Sequence, residues 1–356
     1  MEEFFKDLVV VELASVLAGP AVGMFFAELG AKVVKFENVG TGGDITRQWK
    51  LANEEPGLDY SAYYCSVNYG KEVIMNNLSS KEGRSELIAH LKKADIVISN
   101  FKEKSAKRLE LDYESVCAIK EDIIYAQLSG YPDQEKVAFD VALQAETGFM
   151  SMSGTEDGVP VKMPVALIDI LAAHQLKEAI LIALLKRHKT KKGSKVTTTL
   201  YESAVASLAN QATNWLMNEV VPKKMGTLHP NIAPYGEVFR TKDEKEIVLA
   251  IGTDKQFENL CMTLDCQKLV NDERFISNSD RVINRKLLND ILQKKLSQWR
   301  IKAFIGQAEM NNIPVGEVKD LQAVFEEEKA KKMIIKDEDD HGNIRKRVRT
   351  IAFNLV

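Results

Sequence analysis

The sequence predicts an α/β protein: a large domain on a parallel sheet, followed by a smaller α+β domain. Three observations predict it. Short apolar, β-branched runs recur at Val9–Leu13, Lys32–Phe36, Asp95–Ser99 and Ile123–Leu128. Helical patterns fall between them, and strands that alternate with helices form a parallel sheet covered on both faces. The pattern then changes. The stretch from Val221 to Pro234 carries three prolines and little periodicity, and a second set of strands and helices follows it.

The elements read in order as follows. Val9–Leu13 is a strand, Pro20–Leu29 a helical run and Lys32–Phe36 a second strand closed by Glu37 and a glycine cluster. Proline suits the first turn of a helix, where Pro20 sits. This βαβ unit is Rossmann-like, and its helix amides can hold a phosphorylated ligand. The G-x-G-x-x-G fingerprint is absent, since the turn carries only Gly19 and Gly23. Ser79-Ser80 caps an amphipathic helix carrying Leu87, Ile88 and Leu91. A long, mostly apolar helix runs from Asp169 to His188, with a basic end that suits a helix C-terminus. Leu200 to Val220 is another helical stretch, and Val221–Pro234 reads as an extended crossing segment. The second module holds strand Gly236–Arg240, a turn at Lys242–Lys245, strand Glu246–Ile251 and then helices. Glu326 to Arg349 is highly charged and reads as surface. The expected division is a large domain over 1–200, to which 326–356 returns, a helix and linker over 201–233, and a small domain over 234–325.

The chain has 356 residues, enough for two domains with substantial cores. Its net charge of −3 argues against a polyanion-binding surface, so no nucleic-acid partner is expected. No apolar run is long enough to span a bilayer, and the acidic start, Met-Glu-Glu-Phe-Phe-Lys, does not read as a signal peptide. Cys65, Cys117, Cys261 and Cys266 are scattered and have no histidine-rich neighbourhood. Reduced thiols in the cytoplasm and no metal site are therefore expected.

Asp169 is the principal candidate for chemistry. It lies in Pro164-Val-Ala-Leu-Ile-Asp-Ile-Leu-Ala-Ala, a carboxylate among apolar side chains at a helix start. Such an aspartate can simply cap the helix. It can also serve as a nucleophile, kept ionised by the helix N-terminus and made more reactive by partial desolvation. Backbone amides at Val16, Leu17 and Ala18 can hold a ligand arm at the sheet end, and Lys71, Lys104 and Arg108 are candidate phosphate contacts. For a single lysine the alternative is a solvated surface charge, which is favoured for Lys104. Phe101 can stack on an adenine or pack in the core.

Taken together, the blocks resemble the class III CoA-transferases, the family that includes formyl-CoA:oxalate and carnitine CoA-transferases. The resemblance covers roughly residues 8 to 325. It rests on the βαβ block, Asn68-Tyr-Gly-Lys71-Glu-Val, and Ala94-Asp-Ile-Val-Ile-Ser-Asn100-Phe101 with Lys107-Arg108-Leu109. It also rests on Gln127-Leu-Ser-Gly130-Tyr131, Ala138-Phe-Asp140, Gln144-Ala-Glu-Thr-Gly148 and the segments from Asn231 to Val318. It implies coenzyme A as a substrate, an acyl-CoA donor and a carboxylic acid acceptor, with neither metal nor ATP. It implies catalytic roles for Asp169, Gly226 and Asp140. It implies CoA contacts at Val16, Leu17, Ala18, Asn38, Lys71, Asn100, Phe101, Arg108 and Lys136. It further implies a homodimer whose two chains interlock, with Val221–Pro234 as the crossing.

The chain departs from the family pattern in three places that bear on the substrate. Leu17 stands where many members have glutamine, Val137 where they have a basic residue, and Gly226 is alone where oxalate-specific members have a glycine-rich loop. An acyl-CoA racemase or isomerase of the same superfamily is the alternative, but Lys136-Val-Ala-Phe-Asp140 lacks the histidine such enzymes use. A nucleotide-dependent oxidoreductase would use Glu37 for the ribose hydroxyls, yet the third glycine is missing. A CoA-binding protein without catalysis would leave Asp169 as a cap.

Overall fold

A computed structural model describes residues 3–133, 136–339 and 341–354. The chain divides into two compact units. One comprises residues 1–150, 162–221 and 332–356, the other 151–161 and 222–331. Residues 201–221 thus group with the large sheet, and the short stretch 151–161 with the second unit.

The first unit is built on β1 (Val9–Leu13), β2 (Lys32–Asn38), β3 (Lys71–Asn76), β4 (Ile96–Ser99), β5 (Ile124–Ser129) and β6 (Ser194–Thr199). They form one sheet in the order β3-β2-β1-β4-β5-β6, with every neighbouring pair parallel. The order reverses between β1 and β4, and ligands of such sheets bind outside the carboxyl ends of the strands at that point. The helices are α1 (Ala18–Glu28), α2 (Ala62–Cys65), α3 (Lys81–Leu91), α4 (Glu103–Arg108) and α5 (Tyr113–Ile119). They continue with α6 (Asp140–Glu146), α7 (Phe149–Met152), α8 (Leu167–Thr190), α9 (Leu200–Ala206) and α10 (Ala209–Asn218).

Alternate residues of the central strands feed two cores. Val10, Ile96 and Ile98 pack with α1 and α8 on one face, and Val11, Val97 and Tyr125 pack with Leu87, Leu91 and Val116 on the other. That is why the central strands read as continuous apolar runs. The edge strands β3 and β6 do not. Their sequences, Lys-Glu-Val-Ile-Met-Asn and Ser-Lys-Val-Thr-Thr-Thr, keep polar side chains on partly exposed positions. The helical stretch from Leu200 is two helices, because Ala209 adopts a left-handed backbone (φ +47°).

Gly19 and Gly23 lie four apart on the face of α1 that meets β1. A Cβ at Gly19 would stand 2.5 Å from the Ala14 methyl, and one at Gly23 1.9 Å from Glu12 Oε2. These glycines seat the helix on the strand and on a buried carboxylate.

In the second unit, β7 (Tyr235–Arg240), β8 (Glu246–Ala250) and β9 (Val315–Glu317) form an antiparallel sheet. It packs with α11 (Asp254–Thr263), α12 (Asn278–Ile283), α13 (Arg285–Leu296) and α14 (Ile301–Met310) around Phe239, Leu249, Phe257, Leu288 and Phe304. The charged C-terminal stretch contains a hairpin, β10 (Ile334–Glu338) and β11 (Ile344–Val348), which belongs to the first unit. Arg347 is buried there, 4.0 Å from the Tyr69 ring centre, and donates to the Cys65 carbonyl at 3.0 Å. Ile351 enters the core beneath α1.

Candidate active site

The turn from β1 into α1 lies at the sheet's switch point and is held on both sides. Asn100, just past β4, donates to the Ser15 carbonyl (3.0 Å) and accepts from the Ser15 amide (3.3 Å). Val16 has φ +73°, a left-handed backbone that a β-branched residue rarely adopts. Strain of this kind persists only where the surroundings over-determine it, and it gathers at functional sites. The determinant is Asp44. Its carboxylate accepts from the Val16 amide (3.1 and 3.3 Å) and from Lys35 Nζ (3.1 Å), which also donates to the Ala14 carbonyl (2.6 Å).

Beneath this turn is a buried charge network. Lys35 meets Glu12 at 2.9 Å, and Lys71 meets the other Glu12 oxygen at 2.8 Å. Burial opposes the charge on Lys35, but Glu12, Asp44 and Glu37 outweigh it and hold the ammonium above its ordinary value. Burial, reinforced by Lys35, wins at Lys71 and pushes it down to about 8. The Lys71 ammonium is enclosed and bonds Glu12, the Pro20 carbonyl (2.8 Å) and Asn68 (2.9 Å). Glu37 is likewise committed to Arg47 (2.7 Å), Tyr64 (2.7 Å) and the Asp44 amide (2.8 Å), which removes it as a ribose ligand.

Asp169 is the third residue of α8. The N-cap position belongs to Ala166, which makes no side-chain cap bond. The capping is done from another helix. Asp140, first residue of α6, accepts from the Ile168 amide (2.7 Å) and from Gln144 Nε2 (2.7 Å), while Gln144 Oε1 accepts from the Met163 amide (2.8 Å). Asp140 thus positions the α8 start, and Asp169 is left with no hydrogen-bond partner among the described residues. The Asp169 side chain is buried (7 % exposed). Burial, and then the neighbouring Asp140 charge, push its carboxyl up to about 7. This is opposite to the expectation that the helix end keeps it ionised. Tyr63 lies close to both: burial, then the charges of Asp169, Asp140 and Asp44, raise its hydroxyl to about 12. Its ring meets Trp49 edge-on at 5.0 Å.

The remaining candidates divide. The Val16 amide is taken by Asp44, whereas those of Leu17, the N-cap of α1, and Ala18, its first residue, have no acceptor among the described residues. A cleft of about 720 Å³ runs along the carboxyl ends of β4, β5 and β6, lined by Asn100, Phe101, Gln127, Tyr131, Lys136 and Lys195, among others. That volume suits a cofactor-sized ligand. Phe101 also packs against the α3–α5 core. Lys136 reaches Glu146 at 2.6 Å and lies 4.7 Å from the Tyr131 ring centre. Arg108 is exposed in the last turn of α4, outside the lining of that cleft. Asn38 accepts from the Gly40 amide (2.9 Å), capping the turn after β2. Gly226 belongs to the second unit, has φ +64° and donates to the Gly154 carbonyl (2.8 Å).

Sequence reading missed Asp44, Tyr63 and Gln144. Asp44 did carry a local signal, since an aspartate after Gly42-Gly43 and before Ile45-Thr46 is a cap for a short helical turn.

The model of CoA-transferase family III matches residues 5–355. A succinate–glutarate CoA-transferase of Agrobacterium fabrum is 35% identical over 89% of this chain and 80% of its own length. The human succinyl-CoA:glutarate CoA-transferase is 32% identical over 89% of the chain and 72% of its own. A CAIB/BAIF family protein from Brucella suis superimposes with a TM-score of 0.81 at 35% identity, over 97% of this chain and 91% of that one. The chain belongs to CoA-transferase family III and is an enzyme of the CoA-transferase type.

Proposed function

We propose that this enzyme moves CoA from an acyl-CoA donor to a carboxylic acid through covalent intermediates on Asp169. The observation that carries the reading is a buried carboxylate at the start of α8 with no hydrogen-bond partner among the described residues. Asp169 attacks the donor thioester, giving an aspartyl-acyl anhydride and CoA thiolate. The thiolate returns to the aspartyl carbonyl, forming an aspartyl-CoA thioester and freeing the donor acid. The acceptor carboxylate attacks that thioester, and CoA thiolate then attacks the acyl carbonyl of the resulting anhydride, restoring Asp169. Thioester energy is conserved, so the cycle needs neither ATP nor metal. The Leu17 and Ala18 amides are suited to the CoA arm or a tetrahedral oxyanion. Relatives named for succinate, glutarate, oxalate and mesaconate make short dicarboxylic acids the first to assay. Incubation with acyl-CoA and hydroxylamine tests the reading: peptide mass spectrometry should find a hydroxamate at Asp169, and a label elsewhere or none overturns it.

Asp140 sets the pH at which Asp169 works. Asp140→Asn keeps an acceptor for the Ile168 amide and removes the like charge, so the acid limb of the kcat/KM profile should move to lower pH. An unmoved limb means that the Asp140 charge does not reach Asp169.

Arg108 is proposed as a CoA phosphate contact. Arg108→Ala should weaken CoA binding by about 1–3 kcal/mol, the scale of a charge-assisted hydrogen bond. Calorimetry with free CoA measures it, and an unchanged dissociation constant assigns Arg108 to the surface.

We also propose a homodimer interlocked through residues 221–234. Trp215, Leu216, Met217, Val220 and Val221 are exposed on and after α10, an apolar run that a second copy would cover. Dissociation and unfolding should then coincide in a denaturant series followed by native mass spectrometry. A folded, active monomer rules it out.

A further inference from the structure

The end of α11 turns through a Schellman motif. The Cys266 amide donates to the Cys261 carbonyl (2.8 Å), the Asp265 amide to the Met262 carbonyl (3.2 Å), and Asp265 takes the left-handed backbone at φ +51°. This pairing brings the side chains at the two ends of the motif into contact, ordinarily as an apolar pair. Here both ends are cysteines. Cys266 packs against the core cluster that holds Cys261, and both thiols are free. Cys261 is enclosed in the second unit's core, and Cys266 is partly exposed at its rim. Lys295 brings an ammonium to the same turn, donating to the Asp265 carbonyl at 2.6 Å.

We infer that Cys261 and Cys266 form a thiol–disulfide exchange site, oxidised by small-molecule disulfides to an intrachain bridge. Access and charge set the order of events. The neighbouring Cys261 thiol, and after it the Lys295 charge, hold the Cys266 thiol below its ordinary value against burial. The Cys266 thiol and then burial push Cys261 up. Cys266 thiolate therefore attacks first. A bond forms between its sulfur and one sulfur of the oxidant, the oxidant's own S–S bond breaks, and one thiolate leaves and takes a proton from water. Cys261 then gives its proton to solvent and attacks Cys266 Sγ, the mixed disulfide breaks, and the second thiolate leaves. One small disulfide becomes two thiols, and the enzyme loses two hydrogens. The motif already places the two residues together, and the bridge demands that proximity. The other two cysteines have different surroundings. Cys65 is buried with its thiol raised to about 11, first by burial, and Cys117 is partly exposed with a carbonyl as its sulfur's hydrogen-bond acceptor.

The test uses the whole enzyme and oxidised glutathione, read by intact mass and by peptide mapping after alkylation. The expected product is lighter by two hydrogens, with Cys261 and Cys266 both lost to alkylation and recovered on reduction. Cys261→Ala should trap glutathione on Cys266, and Cys266→Ser should leave Cys261 unmodified. A lasting glutathione adduct on Cys266 of the unaltered enzyme overturns the inference. So does a Cys261→Ala variant that takes up none while Cys117 reacts. Neither readout depends on CoA transfer, so the inference stands or fails apart from the proposed reaction.

Discussion

Asp169→Asn is expected to abolish CoA transfer and, at the same time, to make the folded protein more stable at pH 8. The first effect follows from the proposed chemistry. An amide forms neither the anhydride nor the aspartyl thioester, and loss of both should cost several orders of magnitude in rate. The second follows from linkage. The Asp169 carboxyl is raised to about 7 in the fold, from 3.8 when unperturbed. Below the lower value both states hold the proton and nothing is lost. As pH rises between the two values the unfolded chain ionises first, so folding stability falls. Above about 7 the loss levels off at up to about 4 kcal/mol. Asparagine has no such term. The variant's melting temperature should therefore exceed the parent's above pH 7, and the gain should shrink toward pH 4. Steady turnover in freshly purified, undeamidated protein would refute the nucleophile. A gain independent of pH would refute the burial account.

Lys35→Met is expected to be the most destabilising single change in the large sheet. The substitution keeps length and apolar stem but removes the cation shared by Glu12, Asp44 and the Ala14 carbonyl. All three charged side chains are fully enclosed. Removing one member of such a group costs about 3–5 kcal/mol, because the others remain buried and uncompensated. Chemical denaturation should show the loss. Asp44→Asn with Lys35→Met should recover part of it, since Glu12 still pairs with Lys71 and no carboxylate is then stranded. A single variant as stable as the parent would mean that solvent reaches the network.

Those two positions show what was legible in the chain and what was not. The central strands could be read because both their faces are buried, so Val9–Leu13 and its neighbours are nearly uninterrupted apolar runs. The edges β3 and β6 and the β10–β11 hairpin carry too many polar side chains to stand out, although backbone pairing is as regular there. Asp169 was legible because a carboxylate in an apolar helix start is unusual. The enclosure of Lys71 was hidden for the converse reason. A lysine in a polar segment looks solvated, and only the fold reveals that Gly23 leaves room for Glu12 to meet it. Asp140 was placed at the site, but its role as a cap for a helix 28 residues away is a tertiary property with no local trace.

The return of residues 332–354 to the first unit has a consequence for synthesis. A chain emerging from the ribosome usually completes its N-terminal domain first. Here Arg347 must reach Tyr69, and Ile351 must enter the core beneath α1, where the Thr350 and Ile351 amides meet Glu28. All of the second unit has been made by then. The large sheet is therefore the first part to be made and the last to be closed. Until closure, α1 and the Cys65–Tyr69 segment stay open, and that interval is when chaperone capture or protease cleavage of this enzyme would act.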